Sequence, residues 1–245
     1  MSRLADHVWA HHYSPSHGNL VSTFYVPVLG CAERYDRVTG YFSAAALSVA
    51  ARGVEGLILN NGRMRMVVGH TLGQAEAEAI AQGETLRTTL EKGFRQAPLH
   101  ADDGDQREAL ELLAWMVAQG YLEVKVAVPC DGERRPLANT ALFHAKAGIV
   151  EDKVGDRLAF NGSINETLNG WRHNVDTFHV FKSWDGGAGH VDAEEREFQA
   201  LWVDKVQSAI TIDVPQALRE KLLRYAPEGD ALPVRFKRIV GEVPE

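Results

Sequence analysis

The stretch LFHAKAGIVEDKVGDRLAFNGSINETLNGWRHNVD, from Leu142 to Asp176, decides how the rest of the chain is read. It holds two short apolar runs, FHAKAGIVE and RLAFNGS, separated by a charged turn, which predicts two adjacent strands. Gly162-Ser163-Ile164-Asn165 follows the second run, and Asp176 lies eleven residues beyond Asn165. His144 and Lys146 are two apart, so on a strand both side chains leave the same face. Phe143, Ala145 and Ala147 then turn to the other face, toward a core.

This pattern suits attack on a phosphodiester. An imidazole near neutral pH is partly unprotonated and nucleophilic. An ammonium beside it neutralises phosphate oxygens as charge builds at phosphorus. Gly162 allows a close backbone approach, and Ser163 and Asn165, again two apart, can donate to one phosphate. Asp176 can accept from the second ring nitrogen of His144, fixing its tautomer and supporting the developing positive charge. Glu166 contacts substrate if the segment turns there, and Trp171-Arg172 offers a ring to stack on bases and a cation to pair with phosphate. His70, at the end of a strand, is a further candidate for substrate contact, whereas His173 and His179 read as packing or surface residues.

The ordered set His144-x-Lys146, Gly162-Ser163-x-Asn165 and Asn174-x-Asp176 resembles the signature of the phospholipase D superfamily. That resemblance implies an α/β/α sandwich with one mixed sheet flanked by helices and a single repeat in this chain. It implies His144, Lys146, Ser163, Asn165 and Asp176 as catalytic residues and no metal or other cofactor; Gly162, Glu166 and Arg172 are the candidate substrate-binding residues beside them. Two positions depart from the pattern. Glu151, followed by Asp152, stands where the family has Asp, and Asp176 stands where it has Glu. Single-motif members are generally homodimeric nucleases with the site on the two-fold axis, and chemistry gives the same expectation. One histidine attacks phosphorus and a second must protonate the leaving oxygen, but one chain supplies one such His. The expected activity is therefore metal-independent DNA cleavage through a phosphohistidine. The rival readings are a silent DNA-docking or dimerisation module and a hydrolase of phospholipids or other small phosphodiesters. FYVPVLGCAERYDRVTGYFS, with the strand ending at Gly69, further resembles the nuclease module at the front of some bacterial superfamily 2 helicases. This implies a role in anti-phage or restriction defence and a helicase or ATPase partner.

Outward from this centre, Arg37–Ser43 reads as a strand, 44–59 as a helix and 64–69 as a buried strand. This strand–helix–strand unit favours a parallel pair. Residues 20–29 are open between helix and extended chain, with Pro27 weakening both readings. Helices are predicted over 73–95 with a break near Gly83, over 106–119 with a stop at Gly120, over 193–206 and over 215–225. Strands are predicted at 121–128 and 175–181. Residues 1–225 then form the domain, and 226–245, rich in Pro, Gly and charge, a linker or tail.

Composition is that of a soluble globular chain, 24% charged and 45% apolar, so 245 residues suffice for one large core. No apolar run approaches the roughly 20 residues of a membrane helix, the N-terminus has no signal-like apolar segment, and Cys31 and Cys130 lack a pairing pattern. The cytoplasm is the expected location. A net charge of −7 excludes a chain coated in positive charge, so any nucleic-acid groove must be local, with Arg134-Arg135 the nearest basic pair. No phosphate-binding loop of the Gly-x-x-x-x-Gly-Lys-Ser/Thr type occurs.

Overall fold

The computed structural model describes residues 2–40, 54–96, 104–137, 145–163 and 177–229. Among the described residues, eight strands form one mixed sheet. They are β1 (His12–Tyr13), β2 (Ala32–Thr39), β3 (Arg63–Gly69), β4 (Leu122–Pro129), β5 (Ala147–Asp152), β6 (Arg157–Gly162), β7 (Phe178–Lys182) and β8 (Ala209–Asp213), in the order β1-β7-β6-β5-β2-β3-β4-β8. Central β2, β3 and β4 are parallel, and every other pairing is antiparallel. This is the helix-flanked mixed sheet expected of the chain.

The described helices are α1 (Val26–Cys31), α2 (Gln74–Ala81), α3 (Leu86–Gln96), α4 (Gly104–Ala118), α5 (Ala188–Trp202) and α6 (Gln216–Leu223), together with a helical stretch at 54–59. None of the described helices is long and apolar enough to cross a membrane. Strand alternation assigns the two sheet faces. One face carries Tyr35, Met64, Met66, Val150, Leu158 and Phe160, and packs under α1, α4 and the aromatic N-terminal segment of Trp9, Tyr13, Phe24 and Tyr25. The other carries Val38, Val67, Ile149 and Ala159, and packs under α5 through Val191, Phe198, Leu201 and Trp202.

Several boundaries differ from the sequence reading for local reasons. Residues 20–29 are helical, a π-turn at Val21–Tyr25 running into α1, and Pro27 is accommodated because it lies in the first turn. Helix α5 starts at Ala188 after Gly187 and stops before Asp204, whose backbone is left-handed at φ 58°, so it precedes the expected span. Strands β1 and β8, two and five residues long, lie at the sheet edges, where hydrophobic alternation is too brief to register. The breaks at Gly83 and Gly120 do occur, both at positive φ (97° and 71°). The tail expected from 226 lies outside the described residues beyond 229.

Candidate active site

Parallel and antiparallel pairing bring the chemically interesting strand ends to one edge of the sheet. Strands β2 and β3 finish there at Thr39 and Gly69, β6 finishes at Gly162, and β5 and β7 begin there at Ala147 and Phe178. Lys146 immediately precedes β5 and is half-buried. Its carbonyl accepts a 3.3 Å hydrogen bond from the Gly162 amide, which carries the Ala147–Asn161 register one step further and sets Lys146 beside Gly162. Val38 pairs with Ala147, so the next step of that register sets Thr39 opposite Lys146 on its other side.

Gly162 has a steric reason to be glycine. A Cβ on it would stand 2.1 Å from the Thr177 carbonyl oxygen and 2.6 Å from the Phe178 Cα. The absence of a side chain lets the chain entering β7 lie against the end of β6. Ser163 secures that approach: its amide donates to the Thr177 carbonyl at 2.9 Å, and its hydroxyl accepts from the Thr177 amide at 3.0 Å. Its hydroxyl also lies 3.4 Å from the Thr177 carbonyl oxygen. The sequence reading assigned that hydroxyl to phosphate; in the structure it also ties two strand ends together, leaving one oxygen lone pair for a further donor.

Lys146, Gly162 and Ser163 therefore come together, and Thr177, the residue after Asp176, is bonded to Ser163. His144, Asn165, Glu166, Arg172 and Asp176 lie outside the described residues.

The carboxylates at the motif's departure from the family pattern have a different place. Glu151 and Asp152 occupy the far end of β5 from Lys146, five and six residues along, a separation of roughly 17–20 Å. Asp152 is buried and accepts from the Leu4 amide at 2.8 Å and from the Val154 and Asp156 amides at 3.0 Å each. It closes the β5–β6 turn and holds the N-terminus to it. Glu151 pairs with Arg34 at 2.6 Å. Neither side chain can reach a phosphate held at Lys146.

Two features of the edge escaped sequence reasoning. Arg37 is fully buried on β2, with its guanidinium carbon 5.2 Å from the centre of the Phe160 ring. It pairs with Gly148, where a Cβ would stand 2.3 Å from the Phe160 ring, so glycine makes room for that stack. Arg37 thus places a buried cation on the same face as Lys146, two register steps inward. The adjacent charged pair Asp36-Arg37 inside the strand run Tyr35–Thr39 was the available signal. The second feature is Glu76, which caps α2 through the Gly73 amide (2.8 Å) and reaches His70 Nε2 at 3.4 Å. Burial pushes its carboxyl up, but the hydrogen bonds from His70 and Gly73 outweigh this and leave its pKa below the ordinary value.

Arg134 and Arg135, the nearest basic pair in sequence, are neutralised. Arg134 binds Asp204 at 2.6 Å, and Arg135 binds Asp131 and Glu133 at 2.9 Å.

No family model matches the chain, and no curated protein matches it. Solved structures do show similarity. NucT from Helicobacter pylori matches at TM-score 0.45 and 10% identity, over 82% of this chain and 97% of that one. Nuc from Salmonella typhimurium, a phospholipase D family member, matches at TM-score 0.43 and 10% identity, over 78% and 90%. Phosphatidylserine synthase from Haemophilus influenzae Rd KW20 matches at TM-score 0.38 and 14% identity, over 86% of this chain and 42% of that one. These are remote likenesses in the course of the chain, and what the site can do rests on its own residues.

Proposed function

We propose that the chain is a metal-independent phosphodiesterase of the phospholipase D type that cleaves DNA through a phosphohistidine, with each site completed by a second copy of the chain. The observation that carries this reading is the convergence of motif segments on one sheet edge. The Lys146 carbonyl is bonded to the Gly162 amide, and Ser163 is bonded to the residue that follows Asp176.

Lys146 holds the phosphate with the Ser163 hydroxyl and the Asn165 carboxamide, the Gly162 and Ser163 amides being taken by the Lys146 and Thr177 carbonyls. The imidazole of His144 attacks phosphorus. A P–N bond forms, the P–O bond to the leaving sugar breaks, and the departing oxygen takes a proton from the partner's His144. That second imidazole, now neutral, deprotonates a water, which displaces His144 and restores both rings. Asp176 orients His144, and Glu166 and Arg172 bind the flanking nucleic acid. Buried Arg37 raises the local positive potential in a chain of net charge −7. The cellular role that fits is an effector in bacterial anti-phage or restriction defence, acting in the cytoplasm with a helicase or ATPase.

The test is cleavage of labelled single- and double-stranded DNA in EDTA by wild type and His144→Ala. The expected result is cleavage by wild type and a loss of about 1,000-fold or more in the variant. Cleavage that needs added metal, or that survives the substitution, contradicts the reading. Inactivity of the wild-type dimer on every nucleic acid leaves the docking module as the better account.

A further inference from the structure

A cavity of about 250 Å³ opens at the same sheet edge, two strands across from Lys146. It is lined by Gly40, Gly69, His70 and Phe94, with valines of β3 and β4 together with Val214 and Leu218 supplying apolar surface. Strand spacing puts His70 about 10 Å from the Lys146 position along the edge. The β3–β4 register continues past the strand end through a 2.8 Å bond from the His70 amide to the Ala127 carbonyl, so His70 is held by the sheet. Its ring lies 5.3 Å from that of Phe94, tilted by 52°. Its Nε2 is anchored to Glu76, which is itself anchored by the Gly73 amide. In the neutral ring the proton therefore sits on Nε2, and Nδ1 is left as an acceptor.

These features specify the occupant. The cavity is smaller than the 300–1,000 Å³ typical of drug-sized ligands, and its size suits one planar ring system. It offers two aromatic surfaces, an oriented acceptor and bare backbone at two glycines. A heteroaromatic ring with polar edges uses all of these, whereas an acyl chain meets the aliphatic lining but leaves the His70 acceptor without a donor. We infer that this cavity is a nucleobase subsite, in which Phe94 and His70 hold a base flanking the phosphate bound at Lys146. This rests on the nuclease reading above and adds a specificity pocket to it.

The experiment compares a single-stranded deoxyoligonucleotide with the same oligonucleotide made abasic over its central nucleotides, as substrates for wild type, Phe94→Leu and His70→Gln. The expected wild-type preference for the base-bearing probe is about ten-fold in KM. Each variant should shrink it at least several-fold, with kcat and the abasic probe unaffected. Three results overturn the inference while leaving the nuclease reading intact: no wild-type preference, an unchanged preference in both variants, or equal loss on both probes in both variants, as a purely structural role would give. If wild type cleaves neither probe, it is the nuclease reading that fails. The two probes are then compared by fluorescence anisotropy, where equal Kd for both overturns the base subsite as well.

Discussion

Gly162 shows how closely the site depends on single side chains. A methyl group there would overlap the Thr177 carbonyl, so Gly162→Ala must push the start of β7 away from the end of β6. The expected cost is about 1–3 kcal/mol in stability, read by urea unfolding, together with a fall in activity larger than the stability loss explains. Asp152 makes the opposite case. Asp152→Ala strands three amide donors, of Leu4, Val154 and Asp156, and should cost about 2–4 kcal/mol. Because it lies at the far end of β5, kcat of the folded protein should be unchanged. A fall in kcat without a fall in stability would contradict that assignment. The sequence made the meeting of Lys146, Gly162 and Ser163 legible because these three lie at strand ends whose period could be read. It could not separate the chemical role of Ser163 from its structural one, because the hydroxyl's bond to Thr177 depends on how two strand ends meet in space. Likewise, the sequence did not show that Asp152 turns inward to the β5–β6 turn amides while Glu151 turns to Arg34, because that depends on how the strands pair.

At the scale of elements, α5 is held to the sheet by an ion network that no sequence period announces. Asp36, fully buried, accepts two 2.7 Å bonds from Arg65 and one of 3.0 Å from Arg34. Arg34 and Arg157 both reach Glu195 on α5, and Arg157 also binds Asp192 at 2.8 Å. Burial pushes the Glu195 carboxyl up, but the bonds from Arg34 and Arg157 outweigh it, so its pKa falls below the ordinary 4.5. A lowered folded-state pKa favours the native protein above 4.5, and the benefit is lost as pH falls through the lowered value. Wild type should therefore lose more stability than Glu195→Gln on going from about pH 6 to about pH 3, measured by urea midpoints. An equal loss would mean that the network does not hold the helix. The central strands and long helices were legible because their apolar patterns run for five residues or more. Strands β1 and β8 were not, because they exist only by pairing with β7 and β4.

The sequence carries one copy of the histidine–lysine motif, so the proposed mechanism calls on a second copy of the chain. If nucleophile and acid are the two copies of His144, a mixed dimer with one His144→Ala subunit lacks one of them and is inactive. Equal parts of wild type and His144→Ala, allowed to exchange, should retain about one quarter of the wild-type activity, as only dimers with two intact subunits work. Retention of about one half would mean that each chain acts alone. The histidine itself is tested most directly by label transfer. A ³²P-labelled oligonucleotide is mixed with the enzyme in EDTA, quenched in base within the first turnovers, and the protein is digested and sequenced. The account predicts label on His144 that survives base and is released by acid, as a P–N bond requires, and no label on His144→Ala. Turnover without labelled protein, or label on another residue, would contradict it.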